Sequence, residues 1–171
     1  MARRAEMIVF SHWYHLLEGV KASPLDFYSS VDRAVAQRLV PDSKCSRVDW
    51  REGGLLSAKR EYLRIRRKEF IFDICGAPFG NSFFVSWWLG EVPSGLLALL
   101  GGIPLLGAFF RLFIRPITYY RIDTATMFQE AIHAAVMEAV DQLTTTGGLR
   151  SLSEAERKPI LKQLVSHRAA A

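Results

Sequence analysis

The hydrophobic and polar positions of this chain change period along its length. Leu25, Tyr28, Val31, Val35 and Leu39 recur at three- and four-residue spacing, with Asp32, Arg33 and Gln37 off that stripe, which predicts an amphipathic helix lying on a partner surface. Ser23-Pro24-Leu25-Asp26 supplies its start: a capping hydroxyl, a proline where no N–H is needed, and an acid in the first turn. Pro41 stops it near Val40. The segment before it, Ala5 to Gly19, is apolar with interspersed histidines and fits a short helix or a strand.

Beyond Pro41 the period becomes two. Ser46 to Arg51 reads as a strand, and Leu56 to Arg67 as a second, in which Leu63 and Ile65 point one way and Tyr62, Arg64 and Arg66 the other. The turn Arg67-Lys68-Glu69 leads to Phe70 to Cys75, and a Gly76 to Asn81 loop to Ser82 to Leu89. The economical architecture is α+β, one helix on a four-stranded antiparallel β-meander.

The stretch 92–114 breaks that pattern. Between Asp73 and Arg111 the only charged residue is Glu91, and about 19 uncharged positions run from Val92 to Phe110, just long enough for a helix to cross a hydrocarbon core. Trp87 and Trp88 before it and Tyr119 and Tyr120 after it are aromatics of the kind that settle at headgroup depth. Gly101-Gly102-Ile103-Pro104 interrupts the run, and two halves of about ten residues cannot both span. A kinked span, a hairpin that enters one leaflet and returns, and a helical hairpin buried in a soluble core therefore compete. Basic residues on both sides favour the hairpin, with both ends cytoplasmic. Its inserting residues are Trp87, Trp88, Leu96, Leu97, Leu99, Leu100, Leu105, Leu106, Phe109 and Phe110.

A long helix is expected from a cap at Asp123 or Thr124 to about Leu143, with Phe128, Ile132, Ala135, Val136, Ala139, Val140 and Leu143 as its apolar face. Ala131, Ala135 and Ala139 repeat every fourth residue, so that another backbone can come close. A last helix is expected in Ser153 to Val165, announced by the capping box at Ser153 and Glu156. The organisation read from the chain is thus an α+β domain over 1–91, an apolar membrane-associated segment over 92–121, and C-terminal helices over 122–171 that pack on the first domain.

Composition sharpens this only locally. Charged residues make up 23% of the chain, so the apolar excess is concentrated rather than general. A net charge of +5 suits anionic partners. The apolar run after Met-Ala-Arg-Arg is too short for a signal sequence, so export is not expected. Cys45 and Cys75 show no metal spacing and read as reduced core thiols.

Candidate chemistry is sparse. Glu130-Ala131-Ile132-His133 has a metal-binding spacing, but a carboxylate-bridged site needs a second such motif, and Glu130, His133 and Asp141 lie off the apolar stripe. His12 and His15 would share a helix face, without a third ligand. Alternation sets Asp73 opposite Phe72 and Ile74, where Arg64 or Arg66 would pair with it. The Gly76 to Asn81 loop lacks the lysine of a phosphate loop. No catalytic residue, metal or cofactor is expected.

The strongest surface feature is basic: Lys59, Arg60, Arg64, Arg66, Arg67 and Lys68 against the single acid Glu61. An apolar anchor and a basic ridge together supply the two signals of stable membrane attachment. The expected function is a non-enzymatic, membrane-associated module that binds a protein partner or anionic lipid at the cytoplasmic face. A soluble module with a hydrophobic ligand and a small enzyme are the alternatives. Nucleic acid ranks lower as a partner, because Tyr62 is the clear aromatic among the bases.

Overall fold

The computed structural model describes residues 8–51, 59–92 and 118–161. In chain order these form β1 (Ile8–Glu18), α1 (Pro24–Gln37), β2 (Ser43–Arg51), β3 (Lys59–Arg67), β4 (Phe70–Phe79), β5 (Ser82–Glu91), α2 (Tyr119–Thr146), the helical turn α3 (Glu154–Arg157) and the short strand β6 (Ile160–Leu161). The sheet is antiparallel throughout, in the order β2-β3-β4-β5-β1-β6.

The α+β class matches the periodicity, but the strand count differs. Among the described residues there are five full strands rather than four, because Ile8–Glu18 pairs with β5 from Ile8↔Glu91 to Glu18↔Ser82. Its own pattern permits helix or strand, and the long-range partner decides. As a strand it sends His12 and His15 to opposite faces: Trp13 and Leu17 enter the core, while Tyr14 and Leu16 are exposed on the other side.

Both long helices lie on one face. Ser23 caps α1 by accepting the Asp26 N–H, and Phe27, Tyr28, Val31, Ala34 and Val35 are buried. The expected stripe is shifted: Leu25, in the first turn, is exposed, and so is Leu39, which lies past the helix end at Gln37 and turns left-handed at φ 48°. α2 begins at Tyr119, capped by Thr118, ahead of the expected Asp123 or Thr124. It packs Phe128 edge-on against Phe72 of β4 at 6.1 Å, so the chain before 92 and after 118 shares one core. Ala135 and Ala139 are fully buried, as close backbone approach requires.

Two further expectations change. The Gly76 to Asn81 loop is mostly strand, with β4 running to Phe79 and only Gly80 and Asn81 left for the turn. Within the described part of the expected Ser153 to Val165 helix, one turn forms, with the expected capping box. Pro159 disfavours a helical Lys158, and the chain extends to pair Ile160 with His12 and Leu161 with Ser11.

Among the described residues no helix is long and apolar enough to cross a membrane. The 92–114 stretch falls, beyond Val92, outside them, and so do Leu96, Leu97, Leu99, Leu100, Leu105, Leu106, Phe109 and Phe110.

Candidate functional site

The end of the sheet where β5 finishes gathers several of the features picked out from the sequence. Glu91 lies between Ile8 of β1 and Phe70 of β4. The next residue, Val92, donates its N–H to the Glu69 carbonyl at 3.0 Å, fixing the departing chain beside the β3–β4 turn. Thr118 caps α2, and Arg121, in its first turn, is ion-paired with Glu91. Both side chains are mostly covered, at 20% and 15% exposure, which strengthens the pair relative to a solvated one. Departure and return of 93–117 are therefore tied together at one end of one fold.

That end is basic and aromatic. Arg66 and Lys68 are exposed, and Arg67 half-buried. Arg66 Nε donates to the Lys68 carbonyl and Arg67 Nε to the Pro41 carbonyl, each at 3.0 Å. Lys68 adopts φ 52°, the left-handed turn conformation that reverses the chain here. Tyr119 and Tyr120 are 88% and 77% exposed at the start of α2.

The six basic residues of β3 and its turn do not form one ridge. Arg60 lies six residues from Arg66, about 20 Å along the strand. Arg64 is held by Asp73, its Nε and Nη2 each donating to a carboxylate oxygen at 2.7 Å. Asp73 is only 4% exposed, so this guanidinium neutralises a buried acid, as the alternation of β4 predicts, and is drawn away from any external anion. The side chain of Lys59 lies outside the described residues.

The two tryptophans separate in the same way. Trp88 faces outward and stacks on His12 at 4.7 Å. Trp87 is fully buried, a core residue rather than an interfacial one, and donates its indole N–H to His133 Nδ1 at 3.1 Å. His133 is correspondingly not on a solvated face: it is buried, and burial holds its pKa below the usual imidazole value. Asp141 pairs with both terminal nitrogens of Arg157. Among the described residues no three His, Cys, Asp or Glu side chains converge on a metal-sized space.

Neither cysteine is positioned as a nucleophile. Cys75 is buried, and burial raises its thiol pKa. Cys45 is exposed rather than in the core, yet partial burial of the thiol and then Asp32 push its pKa up to about 12. Both thiols are thus held protonated.

The outer sheet face, away from the helices, is more aromatic than the sequence suggested. Register sets Trp50 beside Arg60, Val48 beside Tyr62, and Trp88 between Asp73 and His12. Trp50 and Tyr62 share this surface through the pairing of the neighbouring strands β2 and β3, whereas His12 reaches Trp88 only through the long-range pairing of β1 with β5, which no local motif announces. No model of a known protein family matches the chain, and no curated protein is similar to it.

Proposed function

We propose that this chain is a membrane-associated interaction module. Its 92–114 stretch enters the bilayer from the cytoplasmic face and returns to that face, while the adjoining basic and aromatic end of the domain contacts anionic headgroups. The observation that carries the reading is the pairing of Glu91 with Arg121. A single crossing would set β5 and α2 on opposite sides of the bilayer, breaking that pair, the Phe72–Phe128 contact and the Trp87–His133 hydrogen bond. An insertion that returns keeps all three.

The lipid part of the reading rests on position. Arg66, Lys68, Tyr119 and Tyr120 stand where the apolar chain departs and returns. An apolar insertion beside fixed cations supplies the two signals that stable attachment needs. Each such basic residue near an anionic surface contributes roughly 1 kcal/mol.

The test is flotation of the full chain with phosphatidylglycerol vesicles, together with carbonate extraction of membranes from expressing cells. Replacing Leu99, Leu100, Leu105 and Leu106 by serine is expected to abolish flotation while leaving the far-ultraviolet circular dichroism of the domain unchanged. A folded variant that floats and resists extraction as well as the parent overturns the proposal.

A further inference from the structure

The opposite end of the sheet carries a second feature, on the outer face. The paired register of β3 and β4 runs from Arg67↔Phe70 to Leu63↔Ile74 and stops there, although β3 extends back to Lys59 and β4 on to Phe79. At this end lies a depression of about 440 Å³ bounded by Tyr14, Leu16, Arg60, Ala77, Phe79 and Phe84. Its shape follows from the register. Phe84 pairs with Ala77 on one side and Leu16 on the other, so the one small side chain of that row, Ala77, makes the floor. Tyr14 and Phe79 stand at its margins, 57% and 70% exposed.

The charge is one-sided. Arg60 is exposed, and among the described residues no carboxylate lines the depression. The polar groups its guanidinium meets on β3 and β4 are the Tyr62 hydroxyl and the Cys75 thiol, both kept uncharged by burial. Arg64, four residues further along β3 on the same face, already has Asp73. The depression therefore combines three aromatic rings, a flat small-residue floor and one cation that faces no carboxylate among the described residues.

We propose that it binds a small aromatic carboxylate, with the ring over Ala77 among Tyr14, Phe79 and Phe84 and the carboxylate on Arg60. Offset or edge-on ring contacts suit such a wall, the planar guanidinium suits a carboxylate, and the volume falls in the range of small-ligand sites. Phe84 lies seven residues from Glu91, about 23 Å along β5. A domain resting on a bilayer by its Glu91 end thus holds this depression clear of the headgroups, so its occupant is a dissolved molecule rather than a membrane lipid. That last step rests on the membrane reading above; the binding chemistry does not.

Titration of the full-length protein with 2-naphthoate, followed by ligand fluorescence, tests it, with uncharged 2-naphthamide as the comparison. Saturable binding of naphthoate is expected, with naphthamide weaker by about tenfold or more, the worth of a charge-assisted hydrogen bond. Arg60→Gln is expected to remove that advantage and leave naphthamide binding unchanged. Ala77→Leu, which fills the floor, is expected to abolish binding of both while circular dichroism shows an intact fold. Absence of saturable naphthoate binding overturns the proposal, as does equal affinity for the two ligands or wild-type affinity in the folded Ala77→Leu variant. Vesicle flotation of the same two variants reads the other end of the domain; if it stays normal while naphthoate binding is lost, the two sites are separate, and if flotation is lost with it the occupant is a lipid and the dissolved-ligand assignment fails.

Discussion

The hydroxyl of Tyr28 accepts the backbone N–H of Gly76 at 3.0 Å and donates to the Glu61 carbonyl at 2.8 Å. A helix side chain thereby bridges β3 and β4 beyond the point where their paired register ends. Burial pushes the phenol pKa up to about 12, so the group remains a donor throughout the working pH range. Tyr28→Phe keeps the packing and orphans a buried N–H, which predicts a loss of about 2 kcal/mol, read as a lower urea midpoint at unchanged slope.

Gly76 has a second reason to lack a side chain. A Cβ there would stand 2.5 Å from Phe27 Cδ1 and 3.1 Å from Phe83 Cζ, inside a ring pair packed edge to face at 5.6 Å. Gly76→Ala is expected to destabilise by about 1–3 kcal/mol through overpacking, and Phe27→Leu in the same chain to recover part of it. Full stability of the single variant in thermal melts would show that the rings move aside freely.

His133 predicts a pH dependence. Its Nδ1 accepts the Trp87 indole N–H, so the ring proton sits on Nε2, and burial lowers its pKa from the ordinary 6.5. Below that ordinary value the unfolded chain takes up a proton that the folded chain refuses. The stabilisation is complete above about 6.5 and falls as pH drops towards the folded pKa. His133→Asn retains an acceptor for Trp87 and cannot titrate. Melting temperatures compared at about pH 7.5 and about pH 5.5 are expected to fall less in this variant than in the parent.

How legible this was depends on range. Features set within a few residues could be read: the Ser23 cap, the alternation of Leu63 and Ile65 against Arg64, the Ser153 capping box. Pairing of Asp73 with Arg64 could be read too, because both lie on adjacent strands joined by a short turn. What the sequence hid is non-local. β1 has a local pattern compatible with two structures, and only β5 selects one. Trp87 and Trp88 are alike in sequence, and only the covered face tells them apart. His133 lies next to the apolar stripe of α2, and its burial depends on Trp13 and Trp87 arriving from the sheet. The depression at Arg60 needs β1, β3, β4 and β5 together.

The Arg64–Asp73 pair predicts an asymmetry. Asp73 is buried and Arg64 is 23% exposed at its side chain, so removing the acid leaves a mostly covered cation beside the Trp50 ring. Asp73→Asn is expected to cost about 2–3 kcal/mol, whereas Asp73→Val with Arg64→Met, which removes both charges, is expected to cost less. Chemical denaturation of the two variants decides it, and a double variant less stable than the single would mean the ion pair itself is the main stabilising contact.

The Glu91 end predicts how vesicle binding responds to charge. Arg66 and Lys68 are exposed beside the departing chain, and exposed side chains tolerate substitution best, so reversing them should leave the fold intact. With each cation contributing about 1 kcal/mol at an anionic surface, Arg66→Glu with Lys68→Glu is expected to weaken binding to phosphatidylglycerol vesicles at least about tenfold. Binding to neutral phosphatidylcholine should change little, and raising the salt concentration should shrink the difference between parent and variant, because surface charges are screened over about 10 Å at 0.1 M. Reversal of Arg60 by the same substitution serves as the control, since it carries equal charge at the far end of β3. If Arg60→Glu weakens vesicle binding as much as the pair does, net charge alone governs attachment, and the orientation of the Glu91 end towards the bilayer is wrong.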